Sequence, residues 1–356
     1  MSNDKKQLVF VGLSGGVDSA VAAGLLKKEG YSVVGVFMKC WDNKEDLIGC
    51  GWEKDEEDAR QVAAKLEIPF YSWDFTQEYR DKVIKYFLDG YKKGITPNPD
   101  IECNREIKFG LFLNRALRMG ADYIATGHYV RLKRINDKYH LLKGLDSNKD
   151  QSYFLWTLTQ SQFKHCLFPI GKFKKNKVRD LAKDWDLPVK DKPDSQGICF
   201  MGKVNVEDFL KKHISSSPGK IKTTEGDVIG EHEGLEIYTI GQRRGIRIGG
   251  GIPYFVIGKD FGKNELIVAK GRKNKALFEK ELLASNFNWI LGKKPKIPLR
   301  CKAKIRYRQE DQSCHIFEEK KNNLRVVFDK NQRAVTPGQS IVFYKKDRMI
   351  GGGIIN

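Results

Sequence analysis

The sequence has no apolar segment of the length that a membrane-spanning helix requires. Its opening residues, MSNDKK, are largely polar, and the apolar run that follows, Leu8–Leu13, is too short for a signal peptide. With 40% hydrophobic and 31% charged residues over 356 positions, the composition is that of a folded chain and not of a disordered one. We therefore expect a soluble protein of the cytoplasm with two or three domains.

Cysteine patterns typical of metal sites are also missing. No two of the seven cysteines form a C-x-x-C pair, and no cysteine–histidine spacing matches a zinc site. Their number is odd and the chain is long, which argues against a framework of structural disulfides. If a cysteine serves the function, the sequence favours thiol chemistry as the reason.

Acidic residues are in the minority, and the resulting positive charge is unevenly distributed. The chain carries 64 Lys and Arg residues against 45 Asp and Glu residues, a net charge of +19. The net charge is −3 over residues 1–100, +8 over 101–200, +2 over 201–271 and +12 over 272–356. A lysine-rich composition that serves only solubility would be spread evenly. The pattern therefore favours a polyanionic partner, most simply a nucleic acid.

Hydrophobic periodicity divides the chain into an α/β part and a β-rich part. Strands and helices alternate over the first half, which is typical of a parallel sheet with helices on both faces. The predicted strands there are 8–11, 31–38, 70–73 and 122–126, and the predicted helices are 20–28, 55–66, 77–91 and 105–119. A hairpin is predicted over 130–145, followed by helical stretches at 153–163 and 175–185.

After about residue 205, glycine becomes frequent and short alternating strands dominate. The predicted strands are 236–240, 254–257, 265–269, 301–307, 324–328 and 340–344. This pattern indicates two small β modules with a boundary near 271–280. We expect domains over residues 1–204, 205–275 and 276–356.

The strongest single motif is Ser14–Ser19, SGGVDS, between a predicted strand and a predicted helix. Glycines there let backbone N–H groups approach an anion, and the helix N-terminus adds partial positive charge. The hydroxyls of Ser14 and Ser19 can donate to phosphate oxygens, and Asp18 can hold a magnesium ion beside them. The alternative is an ordinary strand-to-helix turn, which would be favoured if the two glycines stood alone.

Other phosphate-binding fingerprints are absent. The sequence contains neither a Walker A motif nor G-x-G-x-x-G. The nearest approach to a Walker A motif is Gly197–Lys203, where Val204 replaces the Ser or Thr that binds magnesium, and we interpret it as accidental.

Two cysteines stand in settings that favour reactivity. Cys103 lies at the expected start of a helix, and a helix N-terminus lowers the pKa of a thiol. Asp100, three residues earlier, is placed to cap that helix or to act as an acid–base group. Cys199 lies in a turn-rich segment between domains. Buried hydrophobic roles are expected for Cys166, Cys301 and Cys314, and the roles of Cys40 and Cys50 stay open.

Seven short motifs, in one order along the chain, carry a resemblance to a known family. They are SGGVDS at 14–19, NPDxxCN at 98–104, TGHY at 126–129, KDQSYFL at 149–155, DSxxICF at 194–200, YTIGQR at 238–243 and TPGQS at 336–340. The first resembles the pyrophosphate loop (PP-loop) of the ATP pyrophosphatase superfamily. All seven together resemble the MnmA family of bacterial tRNA-specific 2-thiouridylases over essentially the whole chain. Leu13 and Ala20 depart from the Met and Ser usual in that family, without loss of a side chain that the chemistry requires.

The resemblance implies a fold and a reaction. It implies an α/β catalytic domain of the adenine nucleotide α-hydrolase-like type, a small central β-rich domain and a C-terminal β-barrel that binds tRNA. ATP, with Mg²⁺, would adenylate the C2 oxygen of the wobble uridine and release pyrophosphate. Sulfur would arrive as a persulfide on Cys199, from a cysteine desulfurase or a relay protein. Cys103 would be the catalytic thiol and would end in a disulfide with Cys199, and Asp100 would be the acid–base group.

The resemblance also implies binding residues. Those for ATP are Gly12, Leu13, Ser14, Gly15, Gly16, Val17, Asp18, Ser19, Met38 and Gly127. Those for tRNA are Asn98, Pro99, Asp100, His128, Lys149, Asp150, Gln151, Arg306, Tyr307 and Gln339. We expect a monomer that acts on the Glu, Gln and Lys tRNAs. For the basic stretches 172–177 and 243–247, a solvated surface and a tRNA contact are both open.

Two other functions are compatible with parts of the sequence. One is a PP-loop synthetase that acts on a small molecule, which explains the loop but not the cysteine motifs or the basic C-terminal region. The other is a nucleotide-regulated RNA-binding protein without catalysis, which leaves Asp100, Cys103 and Cys199 without roles.

Overall fold

The first part of the chain folds around a parallel sheet in the computed structural model, which describes residues 6–42, 52–194, 205–249 and 251–356. The strands of this sheet are β1 (Leu8–Gly12), β2 (Ser32–Lys39), β3 (Phe70–Asp74), β4 (Tyr123–Ala125) and β7 (Cys166–Leu167). Their order is β3-β2-β1-β4-β7, and all neighbours run parallel. The helices of this part are α1 (Val17–Lys28), α2 (Trp52–Lys65), α3 (Thr76–Tyr79), α4 (Lys85–Lys92), α5 (Pro99–Cys103), α6 (Leu113–Arg118), α7 (Gln160–Phe163) and α8 (Lys175–Asp184).

Side chains of β1 alternate between two apolar cores, one on each face of the sheet. Val9 and Val11 pack in one core with Val21 of α1. Phe10 packs in the other, where its ring lies 5.9 Å from that of Trp73. Side chains on both faces of β1 are therefore buried, which requires helices on both sides of the sheet. The predicted α/β fold is confirmed.

The sheet has a switch point between β1 and β4. The chain leaves β1 through α1 toward β2, whereas β4 lies on the opposite side of β1. The two connections that follow β1 and β4 therefore diverge at the carboxyl edge of the sheet and leave a crevice between them. Such crevices are where open α/β sheets bind their ligands.

The helix that carries Cys103 begins earlier than the sequence predicts. Its first residue is Pro99, and it continues through a π-helical segment, Asn104–Phe112, into α6. The side chain of Asn98 accepts hydrogen bonds from the backbone N–H groups of Asp100 and Ile101. The expected start at 105 was wrong: two prolines close together are typical of a break, but proline is also favoured at the first helical position after an Asn cap.

The central module is a four-stranded sheet preceded by a helix. The helix is α9 (Val206–His213), and the strands are β8 (Gly219–Thr223), β9 (Val228–His232), β10 (Tyr254–Asp260) and β11 (Glu265–Lys270). The strand order is β10-β11-β8-β9. The sequence did not predict α9, and the strand predicted over 236–240 was wrong. That segment turns back on itself, with bonds from Tyr238 N to Leu235 O and from Gln242 N to Thr239 O.

The C-terminal module is a closed barrel, as predicted. Its strands are β12 (Phe278–Trp289), β13 (Leu299–Lys304), β14 (Gln312–Glu318), β15 (Leu324–Arg333), β16 (Ser340–Lys345) and β17 (Arg348–Ile355). They pair in the order β12-β15-β14-β13-β16-β17, and β17 pairs with β12 to close the ring. The interior holds alternate apolar side chains such as Ile316, Val326 and Phe343. The domain boundaries at 204/205 and 275/276 stay predictions.

A hairpin of the first part extends the sheet of the barrel. It is formed by β5 (Val130–Ile135) and β6 (Lys138–Lys143), and its turn residues Asn136 and Asp137 have φ of 47° and 60°. These angles suit a two-residue hairpin turn, and the predicted hairpin is confirmed. β6 pairs with β17 at Leu142 and Arg348. No helix in the described part of the chain combines the length and apolarity that a membrane crossing needs.

Buried polar side chains join the first part to the barrel just after β6. The predicted helix over 153–163 is instead a 3₁₀ turn, Ser152–Leu155, followed by α7. Tyr153 donates its hydroxyl to the Ser340 carbonyl at 2.8 Å, and Trp156 Nε1 donates to Ser340 Oγ at 3.0 Å. Both side chains are buried, so water cannot replace these bonds.

This junction predicts a measurable contribution of one hydroxyl. Tyr153→Phe removes a buried donor and should lower the free energy of unfolding by about 1–2 kcal/mol. Tyr71→Phe is the control, since Tyr71 is 45% exposed. Urea denaturation followed by tryptophan fluorescence measures both. Equal midpoints for the two variants would contradict a stabilising junction bond.

Candidate active site

The loop between β1 and α1 is shaped to receive an anion. Gly16 is the N-cap residue of α1 and has no side chain to satisfy the first helical N–H groups. Ser19 Oγ accepts from Ser14 N at 3.1 Å, lies 3.3 Å from Ser14 Oγ and donates to Gly16 O at 3.0 Å. These bonds keep the loop curved around the helix N-terminus, with Ser14 on its exposed side. The arrangement provides backbone donors and a hydroxyl to a phosphate group.

Glycine is required at one position of this loop for two reasons. Gly15 has φ of 67°, in the left-handed region that side chains disfavour. A Cβ atom at Gly15 would also lie 2.2 Å from the carbonyl oxygen of Asp55 in α2. The backbone of the loop is therefore pressed against α2, with its opposite side open.

Other residues predicted for ATP surround the same loop. A Cβ on Gly12 would lie 3.0 Å from Met38 Cε, and one on Gly127 would lie 2.8 Å from Ser19 N. Gly127 follows β4, so the segments that follow β1 and β4 are in contact here, at the switch point. The structure thus brings the ATP-binding residues predicted from the sequence to one place: Gly12, Leu13, Ser14, Gly15, Gly16, Val17, Asp18, Ser19, Met38 and Gly127.

Asp18 is held by two partners that its motif alone does not reveal. Lys175 Nζ lies 2.8 Å from Oδ1 and 2.9 Å from Oδ2 of Asp18, and the Tyr129 hydroxyl donates to Oδ1 at 2.6 Å. Burial, and next the Asp18 charge, raise the pKa of Tyr129 far above its usual value, so this hydroxyl stays protonated. Lys175 is the first residue of α8 and its side chain is only 10% exposed, so it does not belong to a solvated surface.

Lys175 also contacts Asp194, which three cations surround. Its Nζ lies 2.8 Å from Asp194, Lys149 Nζ lies 2.5 Å away and Arg179 Nη2 lies 2.6 Å away. Burial alone would raise the pKa of Asp194, but the bonds from Lys149 and Lys175 outweigh it and hold that pKa well below its usual value. Asp194 is the last described residue before the segment that contains Cys199.

A further cation lies on the other side of the loop. Lys192 Nζ donates to the Gly15 carbonyl at 2.9 Å and to Asp55 at 2.7 Å, and it also pairs with Asp58. Two cations, Lys175 and Lys192, therefore contact the loop, and Lys149 and Arg179 are linked to Lys175 through Asp194. All four are paired with carboxylates. A polyphosphate offers the same charge and acceptor atoms as those carboxylates.

The helix that carries Asp100 and Cys103 comes close to this loop through its π-helical continuation, Asn104–Phe112. The Phe109 ring packs 5.8 Å from the His128 ring, and a Cβ on Gly12 would lie 3.8 Å from Phe112. Asp100 is half-buried in the first turn, and Cys103 is fully buried. Because the helix begins at Pro99, Cys103 is its fifth residue and lies beyond the uncapped N–H groups, so the predicted position at the helix start was wrong.

The structure gives the cap of this helix to Asn98 and not to Asp100. Asn98 and Pro99, both predicted to contact tRNA, form the helix start. Asp100 therefore does not cap this helix, and its role as an acid–base group stays a prediction. The predictions for Cys199 and Cys50 and the near-miss motif 197–203 lie outside the described residues.

His128 is buried next to the loop. Its Nδ1 lies 2.8 Å from Thr126 Oγ1. Burial, and next the charge of Lys108, keep the pKa of His128 well below its usual value, so the ring is neutral at physiological pH. A neutral buried ring suits a packing or hydrogen-bonding role better than a contact with phosphate.

The three residues 149–151, predicted to contact tRNA, have internal partners. Lys149 pairs with Asp194 as described, and Gln151 Oε1 accepts from Tyr129 N at 2.9 Å. Asp150 is buried, and its Oδ1 accepts from the backbone of Gly144 and Ser152. These three side chains are thus bonded to other residues of the protein, among them Asp194 and Tyr129 near the loop. Their direct contact with tRNA stays a prediction.

The remaining predicted tRNA residues lie where the barrel meets the first part. Arg306 is half-buried and donates to the Arg333 carbonyl, and the Tyr307 ring packs 4.5 Å from that of Phe154. Gln339 donates to the Thr96 carbonyl at 2.7 Å. Within the basic stretch 243–247, residues 244–245 form a turn, and Arg247 pairs with Glu233. The barrel therefore brings its predicted residues next to the helix of Asp100 and Cys103.

Sequence reasoning missed several residues of the site. They are Tyr129, Arg179, Lys192, Asp194 and, as an ionic partner of Asp18, Lys175. Tyr129 and Asp194 belong to motifs that were recognised, which was the available signal. Lys175 stands in a lysine-rich stretch where composition gives no means of selecting one lysine. Among the described residues no cluster of three or more His, Cys, Asp or Glu side chains could hold a metal ion.

The contact at Gly15 predicts a large difference between two glycine substitutions. Gly15→Ala should distort the loop, because the added methyl group meets Asp55. Gly30→Ala is the matched control, since Gly30 also has positive φ, at 91°, but nothing lies within 4 Å of its Cβ position. The affinity for a non-hydrolysable ATP analogue, measured by calorimetry, should fall more than tenfold for Gly15→Ala and not for Gly30→Ala. The melting temperatures of both variants are measured alongside. Similar affinities for both variants would show that the steric contact does not shape the site.

Comparison with known proteins agrees with the motif order. Residues 7–203 match the family model described as tRNA methyl transferase HUP domain. Residues 207–270 match the tRNA methyl transferase PRC-barrel domain, and residues 279–355 match the aminomethyltransferase beta-barrel domain. Among solved structures, a 4-thiouridine synthetase–RNA complex with bound ATP is 18% identical and covers 58% of this chain and 50% of its own, with a TM-score of 0.37, too low to support an argument.

Relatives with closely similar sequences extend over nearly the whole chain. A protein of Shouchella clausii named tRNA-specific 2-thiouridylase MnmA is 48% identical over 98% of this chain and 96% of its own. Proteins with the same name from Buchnera aphidicola and Bacillus pumilus are 51% and 49% identical over 99% and 98% of this chain, and over 97% and 94% of their own. Identity of this extent leaves no module of the chain unmatched, and the chain belongs to the tRNA-specific 2-thiouridylase family.

Proposed function

We propose that this protein replaces the C2 oxygen of the wobble uridine of tRNA with sulfur, at the expense of ATP. The observation that carries the proposal is that the helix with Asp100 and Cys103 runs, through Phe109 and Phe112, up to a loop shaped for an anion at the switch point of the sheet. Near full-length relatives named as 2-thiouridylases support the same reaction.

ATP is required because a carbonyl oxygen is a poor leaving group. The C2 oxygen attacks the α-phosphorus, a C–O–P bond forms, and pyrophosphate leaves. The loop Ser14–Ser19 would hold the departing phosphates through backbone N–H groups and the Ser14 hydroxyl. Lys175 would turn from Asp18 toward the polyphosphate, because both groups offer it anionic oxygens at the same place.

Magnesium would accompany ATP and be held mainly by phosphate oxygens. Asp18 is the carboxylate of the loop, but both of its oxygens are bonded to Lys175. The residues therefore fit a magnesium ion only when Lys175 has turned away, and Asp18 would then be its protein ligand. When bound, the ion would neutralise part of the phosphate charge.

Sulfur chemistry would use Cys103 and the persulfide of Cys199. The persulfide sulfur attacks C2, directly or after release as hydrosulfide, and AMP leaves with the former C2 oxygen. The Cys103 thiolate attacks the Cys199 sulfur, so that a Cys103–Cys199 disulfide forms and the outer sulfur stays on the base. A dithiol reductant then restores both thiols. Asp100 would accept the proton of Cys103.

The substrate must present a single base to this pocket. Wobble uridines lie in an unpaired anticodon loop, where a base can leave its stack at low cost. The barrel would hold the flanking phosphates, since residues 272–356 have a net charge of +12 and the end that carries Tyr307 and Gln339 lies against the first part. A cysteine desulfurase or relay protein would load Cys199, and we expect the enzyme to act as a monomer.

The reaction is tested by nucleoside mass analysis. Unmodified tRNA of the Glu, Gln and Lys type is incubated with protein, ATP, magnesium and a persulfide donor. The amount of 2-thiouridine formed is then measured. Wild-type protein should form it, whereas Cys103→Ser should lose more than 99% of the rate and keep tRNA affinity. Cys166→Ser is the matched control, a buried cysteine in β7 with no role in the scheme.

Each alternative function has its own outcome in that assay. Conversion of ATP to AMP and pyrophosphate at the same rate without tRNA would favour a synthetase with a small-molecule substrate. Tight tRNA binding without any thiolation, while Cys199 carries a persulfide, would favour a non-catalytic RNA-binding protein. Either result contradicts the proposed reaction.

The basic barrel predicts that the effect of a charge reversal on tRNA binding depends on where in the barrel it is made. Arg308 and Lys330 are exposed at the barrel end near the Gln309–Gln332 hydrogen bond, whereas Lys320 and Lys321 lie in the turn at the other end of β14 and β15. Arg308→Glu with Lys330→Glu should weaken tRNA binding at least tenfold and reduce the slope of log K against log salt by about 2. Lys320→Glu with Lys321→Glu makes the same charge change. Equal effects of both pairs on filter-binding titrations would indicate nonspecific attraction only.

A further inference from the structure

The segment just before the catalytic helix contacts both β modules at once. Thr96 precedes the helix start by three residues and is buried. Its backbone N–H donates to the Pro337 carbonyl at 2.9 Å, and its carbonyl accepts from Gln339 Nε2 at 2.7 Å. Both main-chain groups of this residue are therefore satisfied by one loop of the barrel.

The barrel loop that makes these bonds is itself firmly held. Gly338 donates its N–H to the Ile355 carbonyl, and Ile355 N donates to the Gln339 carbonyl, both at 2.9 Å. Gly338 has φ of 88°, and a Cβ there would lie 2.9 Å from Thr96 N. The approach of the loop to Thr96 thus depends on a glycine, which explains part of the TPGQS motif.

The central module reaches the same residue from another direction. Thr239 Oγ1 lies 3.1 Å from Thr96 Oγ1, within hydrogen-bonding distance. The Phe261 ring covers Gly94, where a Cβ would lie 2.4 Å from a ring atom. Thr239 belongs to the YTIGQR motif, which the proposed reaction leaves without a role.

The backbone between Thr96 and the helix is stiff. Thr96 and Asn98 each precede a proline, which restricts their own conformation as well as that of the prolines. The Pro97 ring packs where a Cβ on Gly90 would lie, at 2.5 Å. A displacement of Thr96 is therefore passed on to the Asn98 cap and to the first turn of the helix.

We propose that Thr96 is a positioning residue: the central module and the barrel hold it together and so set the place of the helix that carries Asp100 and Cys103. Gln339 then acts on the helix through Thr96, whether or not it also contacts tRNA. The inference rests on the proposed function, since tRNA thiolation is the reaction that the helix serves.

The test uses the full-length protein and two substitutions at Thr239. Thr239→Val removes the hydroxyl with little change of shape, and Thr239→Ser restores it. Thr239→Val should lower the single-turnover rate of thiolation about tenfold, the loss expected from one such bond, while the dissociation constant for tRNA changes less than twofold. Thr239→Ser should be close to wild type.

Gln339→Ala tests the same role from the side of the barrel. It should lower the single-turnover rate of thiolation at saturating tRNA, whether or not the affinity for tRNA also falls. Weaker tRNA binding with an unchanged rate at saturating tRNA would overturn the inference for Gln339 and favour a direct contact. A Thr239→Val enzyme with a wild-type rate would overturn it for the central module.

Hydrogen exchange separates this inference from the proposed function. Amides of residues 98–104 should exchange faster in Thr239→Val and not in Thr239→Ser, with barrel amides unchanged. This readout does not need catalysis. Inactivity of the wild-type protein in the thiolation assay would therefore contradict the proposed reaction, while hydrogen exchange would still decide the positioning role of Thr96. Unchanged exchange at 98–104 would overturn the positioning claim.

Discussion

The ion pair between Asp18 and Lys175 is the interaction on which the arrangement of the site depends. Lys175 contacts Asp18 in the loop after β1 and Asp194 at the edge of the segment that contains Cys199. Tyr129, after β4, completes the set through its bond to Asp18. The Lys175 side chain is only 10% exposed, so the loss of its carboxylate partners would leave a largely buried cation unpaired, at a desolvation cost. In the proposed mechanism, an arriving polyphosphate becomes the partner of Lys175 and magnesium becomes the partner of Asp18, so that neither charge is left unpaired.

The two β modules complete the site by fixing the helix that carries the thiol. The closed barrel has no free edge of its own, but its β17 accepts the β5–β6 hairpin, and Ser340 receives Tyr153 and Trp156. These contacts attach the barrel to the first part of the chain. In the proposed function, the region of highest positive charge therefore lies next to the part that carries the candidate site, where the phosphates of a tRNA anticodon loop would need it.

Much of the fold and part of the site could be predicted from the sequence. The strand at 8–11, the hairpin over 130–145 and the turn from strand to helix at SGGVDS follow from local rules and appear as expected. The start of the catalytic helix was misjudged because Asn-Pro fits both a break and a cap, and only the bonds from Asp100 N and Ile101 N decide between them. Lys175 and Thr96 could not be identified, since their partners are distant in sequence and their roles depend on packing.

The account is tested most directly by the thiol state of the enzyme after one turnover. Protein loaded with a persulfide on Cys199 is mixed with tRNA and ATP, quenched by alkylation and mapped by mass spectrometry. The account predicts one Cys103–Cys199 disulfide and one AMP for each 2-thiouridine formed. Formation of 2-thiouridine while Cys103 remains fully alkylated and no disulfide accumulates would contradict it.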